Sequence, residues 1–453
     1  MGRRGDNPDG EFLSDLHDAA EELPSAERRS FLRKGLASAG SVLLGGAAAG
    51  LTGPAEAAQG GSDAKYLPPN VPPWTRRLGA QVVSRPYGKP SKYESGVIRR
   101  NVPWLTVDRE TSVSFTPLQD LHGTITPNGL VFERYHAGRP TIDPSKHRLM
   151  IHGLVKRPLL LTMDELMRFP SVSVIHFLEC PANGGMEWRG AQLNSVQFTH
   201  GMVSCCEWTG VRLSTLLDEV GLKTDAAWLL AEGADGAAMA RSIPLHKGLD
   251  DCIVVYGQNG EALRPEQGFP VRLIVPGWEG NVNVKWLRRI KVGDKPWFTR
   301  EETSKYTDLM PSGLAREFTW VMGTKSVITS PCPEKPLKNG KGLYEISGLA
   351  WTGRGKIKRV DVSLDGGVNW RTAQLQEPVR DKALTRFRIE WRWDGGPALL
   401  QSRAVDDSGD VQPTLQQLRA VRGTSSIYHN TSIQTWQVKP DGSVYDVQLG
   451  YKG

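Results

Sequence analysis

Short strand patterns follow one another at regular spacing in the last third of the chain. They lie at 343–351, 357–364, 369–375, 385–393 and 401–405. Asp-Gly-Gly turns follow two of them, at 365–367 and 394–396, as is typical of antiparallel strand pairs. The pattern predicts an all-β, immunoglobulin-like sandwich over 326–425 without a helix. A polar, aromatic C-terminal tail over 426–453 follows it and is expected to pack across the domain or onto a partner.

The part of the chain before this sandwich mixes strand and helix patterns. Strand-like runs are found at 172–177, 228–231, 253–256, 271–275 and 284–292. Short helices are predicted at 163–168, capped by Thr162, and at 214–220, ended by Gly221. Because helices and strands do not alternate regularly, the predicted fold class is α+β, with a compact mixed domain over 101–325.

The N-terminus carries an export pattern. Arg28-Arg29 lies in the run 27–34, and a weakly apolar segment follows over 35–53. We therefore predict a twin-arginine signal region over 1–57 and a periplasmic location. The apolar segment is too short for a stable membrane anchor. Twin-arginine export carries folded proteins, so a cofactor acquired before export is expected, and the Pro-rich residues 58–100 are interpreted as an extended arm.

The charge of the chain limits its partners. The 453 residues have a formal charge of +7, and residues 1–57 contain six basic and nine acidic residues, so the remainder stands at +10. A basic protein attracts anionic substrates or acidic proteins. No nucleic-acid partner is predicted, because the compartment argues against one and no RNA- or DNA-binding motif is found.

Five cysteines are present, at positions 180, 205, 206, 252 and 332. They form no Cys-x-x-Cys or Cys-x-x-Cys-His motif, so neither structural zinc nor covalently attached haem is predicted in this chain. Electrons that leave this protein would therefore pass to another chain. The vicinal pair Cys205-Cys206 is interpreted as packing residues, because a vicinal disulfide strains the peptide; redox activity is the alternative.

Cys180 lies in a turn of Pro181, Asn183 and two glycines, directly after the predicted strand 172–177. Three interpretations stay open from this stretch alone. The thiol is buried and inert, it is a nucleophile with His176 or His200 as base, or it is the thiolate ligand of a soft metal.

Cationic side chains elsewhere in the mixed domain bear on this choice. Arg134, His136, Arg272 and Lys285 each stand beside glycine or aromatic residues. Together they offer donors suited to a phosphate and a flat heterocycle. No Gly-rich nucleotide loop offers a rival phosphate site.

Several of these segments resemble the sulfite oxidase family of molybdenum enzymes. The segments are Phe-x-Arg-x-His at 132–136, the Cys180 loop, 207–211, 256–260, 268–272 and 284–287. Residues 360–367 with Trp370, and 404–407, resemble the dimerisation domain of that family. The resemblance covers about 115–425 and implies a molybdopterin-binding catalytic domain before the sandwich.

The resemblance also implies roles for individual residues. Cys180 would be the thiolate ligand of molybdenum, and His136, Arg272 and Lys285 would hold the pterin and its phosphate. Asn183 would shape the cysteine loop around this molybdenum-molybdopterin cofactor, and Arg134 and Tyr256 would line the substrate pocket. In the family, oxygen is transferred to substrate sulfur and the electrons pass singly to a cytochrome.

This chain departs from its sulfite-oxidising relatives at three places. It has Gly184-Gly185 where they have arginines, 198–204 departs from their pattern, and Gln267 replaces a histidine of some relatives. Fewer pocket cations should weaken the binding of free sulfite, because a desolvated dianion needs positive partners. The two glycines are also interpreted as leaving room for a bulkier substrate.

With the run 200–208, these departures resemble the sulfane dehydrogenase subunits of bacterial Sox systems. This resemblance implies oxidation of a sulfane sulfur on a cysteine of a carrier protein, with electrons passing to a cytochrome c subunit. It also implies a homodimer formed through the sandwich, which gives a heterotetramer. The alternatives are a periplasmic sulfite dehydrogenase and, from another class, a cofactor-free scaffold or binding protein.

Overall fold

The computed structural model describes residues 87–101 and 110–450. The predicted signal region and most of the predicted arm lie outside these residues. A compact unit begins at Lys89 and contains all the described strands and helices. Among the described residues, no helix combines the length and the apolar character needed to span a membrane.

Fifteen strands precede residue 320 in the described part of the chain. They are β1 (Arg100–Asn101), β2 (Val113–Phe115), β3 (Glu133–Arg134), β4 (Leu149–Gly153), β5 (Leu159–Leu161), β6 (Ser171–Glu179), β7 (Val203–Arg212), β8 (Trp228–Gly233), β9 (Ala240–Pro244), β10 (Ile253–Gln258), β11 (Glu261–Ala262), β12 (Arg272–Ile274), β13 (Leu287–Gly293), β14 (Asp308–Leu309) and β15 (Ala315–Arg316). The helices of this part are α1 (Met163–Leu166), α2 (Val196–His200), α3 (Leu213–Val220), α4 (Leu245–Asp250) and α5 (Arg300–Thr303).

These strands form separate sheets rather than one doubly wound sheet. One five-stranded sheet has the order β11-β10-β7-β6, with β12 also paired to β10, and the other has the order β5-β4-β13-β8-β9. A three-stranded sheet, β1-β2-β3, and the hairpin β14-β15 complete this part. The neighbours β13 and β4 run parallel, whereas β6, β7 and β10 pair antiparallel. The α+β prediction is confirmed.

Local sequence signals explain several of these elements. Helix α3 buries Leu213, Leu216, Leu217 and Val220, which lie on one helical face. Thr162 and Glu165 form the capping box that starts α1. Strand β13 begins at Leu287, later than predicted, because Trp286 has a φ angle of +52°, which is outside the β region.

The remaining strands build a sandwich of two antiparallel sheets, as predicted. The strands are β16 (Lys325–Ser330), β17 (Gly342–Trp351), β18 (Ile357–Ser363), β19 (Arg371–Thr372), β20 (Gln374–Leu375), β21 (Thr385–Trp393), β22 (Ala398–Asp406), β23 (Thr435–Val438) and β24 (Val444–Val447). The sheets have the orders β16-β17-β21-β20 and β19-β18-β22-β23-β24. The Trp436 indole donates to Ile328 O across the two sheets, at 2.9 Å.

One expectation for this region was wrong. Helix α6 (Leu415–Arg422) interrupts a region predicted to be free of helix, because Thr414 and Gln417 form a capping box and Gly423 ends the helix. The C-terminal tail packs on the sandwich, which is one of the two placements expected for it, because β23 and β24 extend the second sheet. Helix α6 and the strands β23 and β24 were not predicted, because polar residues alternate with only a few apolar ones in these segments.

The vicinal cysteines point into two different apolar clusters. Cys205 is buried with Phe177 and Val327, whereas Cys206 is buried with Leu178 and Trp208. Burial raises the pKa of Cys205 to about 12 and that of Cys206 to about 11. Protonated thiols on opposite faces of a strand behave as small apolar side chains, in keeping with the packing interpretation.

A buried carboxyl pair joins the segment after the Cys180 loop to the last strand of the sandwich. Glu187 Oε1 and Asp446 Oδ2 are buried and find no donor among the described residues. Burial, and then the neighbouring carboxyl, raises the pKa of Glu187, and burial raises that of Asp446. The two groups therefore share a proton.

This pair predicts a pH-dependent stability. A carboxyl whose folded pKa is raised contributes stability that is complete below its ordinary pKa and is lost as pH rises through the folded pKa. Glu187→Gln places a permanent donor beside Asp446, so we expect it to raise the free energy of unfolding by about 1–3 kcal/mol at pH 8 and to change nothing below about pH 4. Thermal denaturation as a function of pH measures this difference. Glu345→Gln, whose side chain is 58% exposed, is the control; parallel curves for wild type and Glu187→Gln would contradict the shared proton.

Candidate active site

Cys180 lies immediately after β6, at the inner end of a cleft. Its N–H donates to Met202 O at 3.0 Å, and its carbonyl accepts from the Asn183 N–H at 2.9 Å. The side chain is 6% exposed. Burial raises the pKa of this thiol to about 11.

A buried ion pair fixes the loop that carries Cys180. Lys325 Nζ, from the first strand of the sandwich, lies 3.1 Å from Glu179 Oε1, and both side chains are at most 1% exposed. The same ammonium donates to Asn183 O at 2.9 Å. Glu179 also accepts from Asn183 Nδ2 at 2.9 Å and from the Trp351 indole at 2.7 Å. Asn183 therefore lies where it shapes the loop.

A cleft of about 680 Å³, including its open side, extends from Cys180. It is lined by residues from four segments of the mixed domain and by one tyrosine that follows α5. The residues that carry chemistry in this lining are Arg134, His136, Cys180, Gln267, Arg272, Lys285 and Tyr306. The structure thus brings together five of the predicted site residues, and it places Asn183 in the loop beside them.

Two of the cations in the cleft, the buried Arg272 and the half-buried Lys285, bond to carbonyl oxygens and not to carboxylates. Arg272 is 3% exposed and donates to the carbonyls of Gln267 and Asn283 at 2.9 and 3.0 Å. Lys285 donates to the carbonyls of Arg134 and Glu266, each at 3.1 Å. Burial lowers the pKa of Arg272 to about 9 and that of Lys285 to about 7. Within the described residues, neither cation lies within ion-pair distance of a carboxylate.

Such an arrangement fits a bound anion. An unpaired buried cation is costly, and an anion that enters the cleft removes that cost and raises the pKa of Lys285 again. Arg272 Nε also finds no acceptor in the described part of the chain. The ammonium of Lys285 lies 4.3 Å from the centre of the Tyr135 ring and 4.6 Å from that of Trp286. A phosphate attached to a flat ring system fits this chemistry.

His136 is held in its neutral form beside Tyr306. Burial, and then the positive charge of Arg134, lowers the pKa of His136 to about 3. Its Nε2 shares a hydrogen bond of 2.7 Å with the Tyr306 hydroxyl. Burial also raises the pKa of Tyr306 well above its ordinary value. Both groups therefore stay uncharged across the physiological range.

Tyr256 is not among the described residues that line the cleft. The pairing register between β10 and β7 changes between Val255 and Gly257. Tyr256 lies at this change and packs against the apolar cluster that contains Val254. Tyr306 occupies the cleft instead. Sequence reasoning missed it because it belongs to no recognised motif. The available signal was its place in a loop between a capped helix and a hairpin, where site residues are common.

The space beside Gly184 and Gly185 is not open, contrary to the expectation of room for a bulkier substrate. A Cβ added at Gly185 would lie 2.6 Å from Ile427 O, and one at Gly184 would lie 3.2 Å from Lys325 Nζ. The φ angle of Gly184 is +83°. Both positions are therefore filled by the C-terminal part of the chain.

The histidines of the nucleophile interpretation lie elsewhere. Neither His176 nor His200 lines the cleft. His200 Nδ1 bonds instead to Thr199 Oγ1 at 2.9 Å, and burial lowers the pKa of each histidine. Among the described residues, no group of three His, Cys, Asp or Glu side chains could hold a metal ion.

Two protein-family models match the two parts of the chain. The oxidoreductase molybdopterin binding domain matches residues 136–300, and the Mo-co oxidoreductase dimerisation domain matches residues 316–436. The matches correspond to the mixed domain and the sandwich. The chain is a molybdopterin-binding oxidoreductase.

Comparison with individual proteins shows which molybdopterin-binding enzymes this chain is similar to. Mitochondrial sulfite oxidase of Rattus norvegicus is 31% identical over 363 residues, which are 73% of this chain and 66% of the rat enzyme. NADH nitrate reductase of Ulva prolifera is 33% identical over 282 residues, which are 55% of this chain and 32% of that enzyme. The chain thus spans about two thirds of the length of the sulfite oxidase and one third of that of the nitrate reductase.

One solved structure is similar to this chain over almost the whole length of the solved chain. The sulfane dehydrogenase SoxCD from Paracoccus pantotrophus is 54% identical, with a TM-score of 0.83, over 84% of this chain and 98% of that chain. This chain belongs to the sulfite oxidase family of molybdenum enzymes, and its cofactor is molybdenum-molybdopterin.

The ion pair under the Cys180 loop generates a prediction. Lys325→Met leaves the Glu179 carboxylate buried without its partner, so we expect the free energy of unfolding to fall by about 3–5 kcal/mol. Chemical denaturation measures this loss. The matched control is Arg157→Met, because the Arg157–Glu219 pair is 64% and 44% exposed and should contribute about 0–1 kcal/mol. Equal stability of Lys325→Met and the wild type would show that the pair does not hold the loop.

Proposed function

We propose that this chain oxidises a sulfane sulfur bound to a cysteine of a carrier protein. The observation that carries the proposal is a cleft that contains one buried thiol, Cys180, and two cations, Arg272 and Lys285, whose hydrogen bonds go to carbonyl oxygens. The 54% identity to a sulfane dehydrogenase, over 98% of that chain, supports this sulfur substrate over free sulfite.

We infer that Cys180 supplies the protein ligand to molybdenum. Metal binding requires the thiolate, and the raised pKa of the buried thiol means that the charge of the metal must compensate for burial. His136, Arg272 and Lys285 would hold the pterin and its phosphate. When bound, the cofactor accepts two electrons from the substrate while oxygen is added to its sulfur.

Arg134 and Tyr306 are proposed to place the substrate sulfur. The Arg134 guanidinium donates to Thr111 O at 2.6 Å and to the Tyr135 carbonyl, so the side chain is held in position. Tyr306 is held by His136 at 2.7 Å. The phenol offers a neutral hydrogen-bonding group, and the guanidinium offers a fixed positive charge for an anionic sulfur group. Tyr306 takes the role that the sequence suggested for Tyr256.

The proposed partners follow from the same function. The sequence contains no haem-attachment motif, so we propose that electrons pass to a separate cytochrome c subunit. The match to a dimerisation domain over residues 316–436 supports a homodimer through the sandwich, and with the cytochrome a heterotetramer. The Arg28-Arg29 pattern supports twin-arginine export to the periplasm.

Cys180→Ser tests the metal ligand. We expect it to lower turnover at least about 10³-fold, because a serine oxygen replaces the soft thiolate. The fold should persist, with thermal stability within about 1 kcal/mol of wild type, because the two side chains have nearly the same volume. Cys252→Ser is the control, since this buried thiol belongs to a different apolar cluster from that of Cys180. Wild-type turnover by a metal-loaded Cys180→Ser protein would refute the assignment.

The substrate is tested with protein isolated from the periplasmic fraction and containing molybdenum. We expect kcat/KM for a carrier protein loaded with sulfane sulfur to exceed that for free sulfite by at least about 10²-fold. Reduction of cytochrome c measures turnover on both. Fast oxidation of sulfite without action on the carrier would favour a sulfite dehydrogenase.

Two further outcomes decide the other parts of the proposal. A properly exported protein that contains neither molybdenum nor pterin by elemental and fluorescence analysis would favour the scaffold alternative. Recovery of the chain in the cytoplasmic fraction alone would overturn the proposed location.

A further inference from the structure

A second tyrosine, Tyr428, lies beside the cleft and comes from the C-terminal part of the chain. Its ring centre is 5.2 Å from that of Tyr306, with an angle of 37° between the planes. The Tyr306 backbone amide bonds to the Tyr428 phenol, and Cys180 and Arg134 lie close enough to affect its pKa. Tyr306 is buried, whereas Tyr428 is half-buried. Tyr428 is therefore the more exposed ring of the pair, and it packs against Tyr306, which lines the cleft.

The segment that carries Tyr428 lies directly on the Cys180 loop. The His429 N–H donates to Pro181 O at 2.7 Å, and Asn430 Nδ2 donates to Gly184 O at 2.9 Å. At the other end, Ser426 Oγ bonds to the Asp308 carboxylate and accepts from the Tyr428 N–H at 3.0 Å. These bonds hold the tyrosine from both sides.

The contact between the segment and the loop requires glycine. A Cβ at Gly185 would lie 2.6 Å from Ile427 O, which is closer than real Cβ atoms approach a backbone oxygen. Any side chain at this position would displace the segment and Tyr428 with it. The Gly184-Gly185 pair thus sets the position of a residue more than two hundred positions away in the chain.

We propose that Tyr428 is a specificity-determining residue, which contacts the chain that carries the substrate sulfur and which Gly185 positions. The inference rests on the proposed function. A sulfur attached to a carrier protein reaches Cys180 only as part of an extended chain, so that chain touches the wall at the open side of the cleft. A small free anion passes this wall and touches only the inner groups. The aromatic ring of Tyr428 offers the apolar surface that such a chain needs.

The test compares the holoenzyme and its Tyr428→Ala variant on two substrates. We expect the KM for sulfane-loaded carrier to rise at least about tenfold, the size expected for removing an aromatic contact. The kcat should stay within about threefold, because the Tyr306 hydroxyl keeps its 2.7 Å hydrogen bond to His136 when the Tyr428 ring is removed. The KM of free sulfite, or its inhibition constant where its turnover is too slow, should change less than about twofold.

Gly185→Ala tests the positioning step. We expect it to raise the same KM, and the double variant with Tyr428→Ala to be no worse than the worse single variant, because both changes remove one contact. Tyr445→Ala, whose side chain is 39% exposed on the last strand of the sandwich, is the matched control and should leave both substrates unchanged. If Gly185→Ala does not fold, Tyr428→Ala alone decides.

The outcomes separate this inference from the proposed function. Carrier turnover by the wild type, with the carrier KM unchanged in Tyr428→Ala or with equal changes for carrier and sulfite, would overturn the role of Tyr428 and leave the proposed function standing. Wild-type turnover of sulfite without turnover of the carrier would overturn the proposed function itself.

Discussion

The ion pair between Glu179 and Lys325 joins the two parts of the chain at the residue next to Cys180. Both charges are removed from water, which costs several kcal/mol for each ion unless every polar atom finds a partner. Here the carboxylate is bonded by Lys325, Asn183 and the Trp351 indole, and two of these three come from the sandwich. The loop geometry at Cys180 therefore exists only when the sandwich is in place. The apolar packing agrees, because Phe177 and Trp351 share one core cluster.

In the cleft beside this ion pair, the cations Arg272 and Lys285 make their hydrogen bonds to carbonyl oxygens. Burial lowers the pKa of Arg272 and of Lys285, and carbonyl oxygens rather than carboxylates accept their hydrogen bonds. His136 and Tyr306 stay neutral beside them. Carbonyl oxygens orient the two cations without neutralising them, so both can still pair with a bound anion. Among the described residues, no group of three His, Cys, Asp or Glu side chains could hold a metal ion.

Features set by neighbouring residues were predictable from the sequence, whereas those set by distant segments were not. Thr162 starts its helix through a capping box with Glu165, and Asn259-Gly260 makes the tight turn between β10 and β11. The cysteine loop and its cations were found because glycines, proline and charges mark them locally. Lys325 and Tyr306 carry no such mark, since only the tertiary fold brings them to Cys180. The resemblance, and not strand periodicity, suggested a pocket role for Tyr256; in the structure this residue lies at a register shift of β10 and packs against an apolar cluster.

The two glycines after the cysteine show how a correct observation led to a wrong physical picture. Their lack of side chains was interpreted as space for substrate, but that space holds backbone atoms of Ile427 and Asn430. The space beside the two glycines is therefore occupied by the protein and not by a ligand. The segment that occupies it carries Tyr428, whose ring packs against Tyr306 of the cleft. Substrate selection then depends on how the sandwich segment rests on the loop. A site of this kind changes specificity when the contact between the two parts changes, even if every residue around Cys180 stays the same.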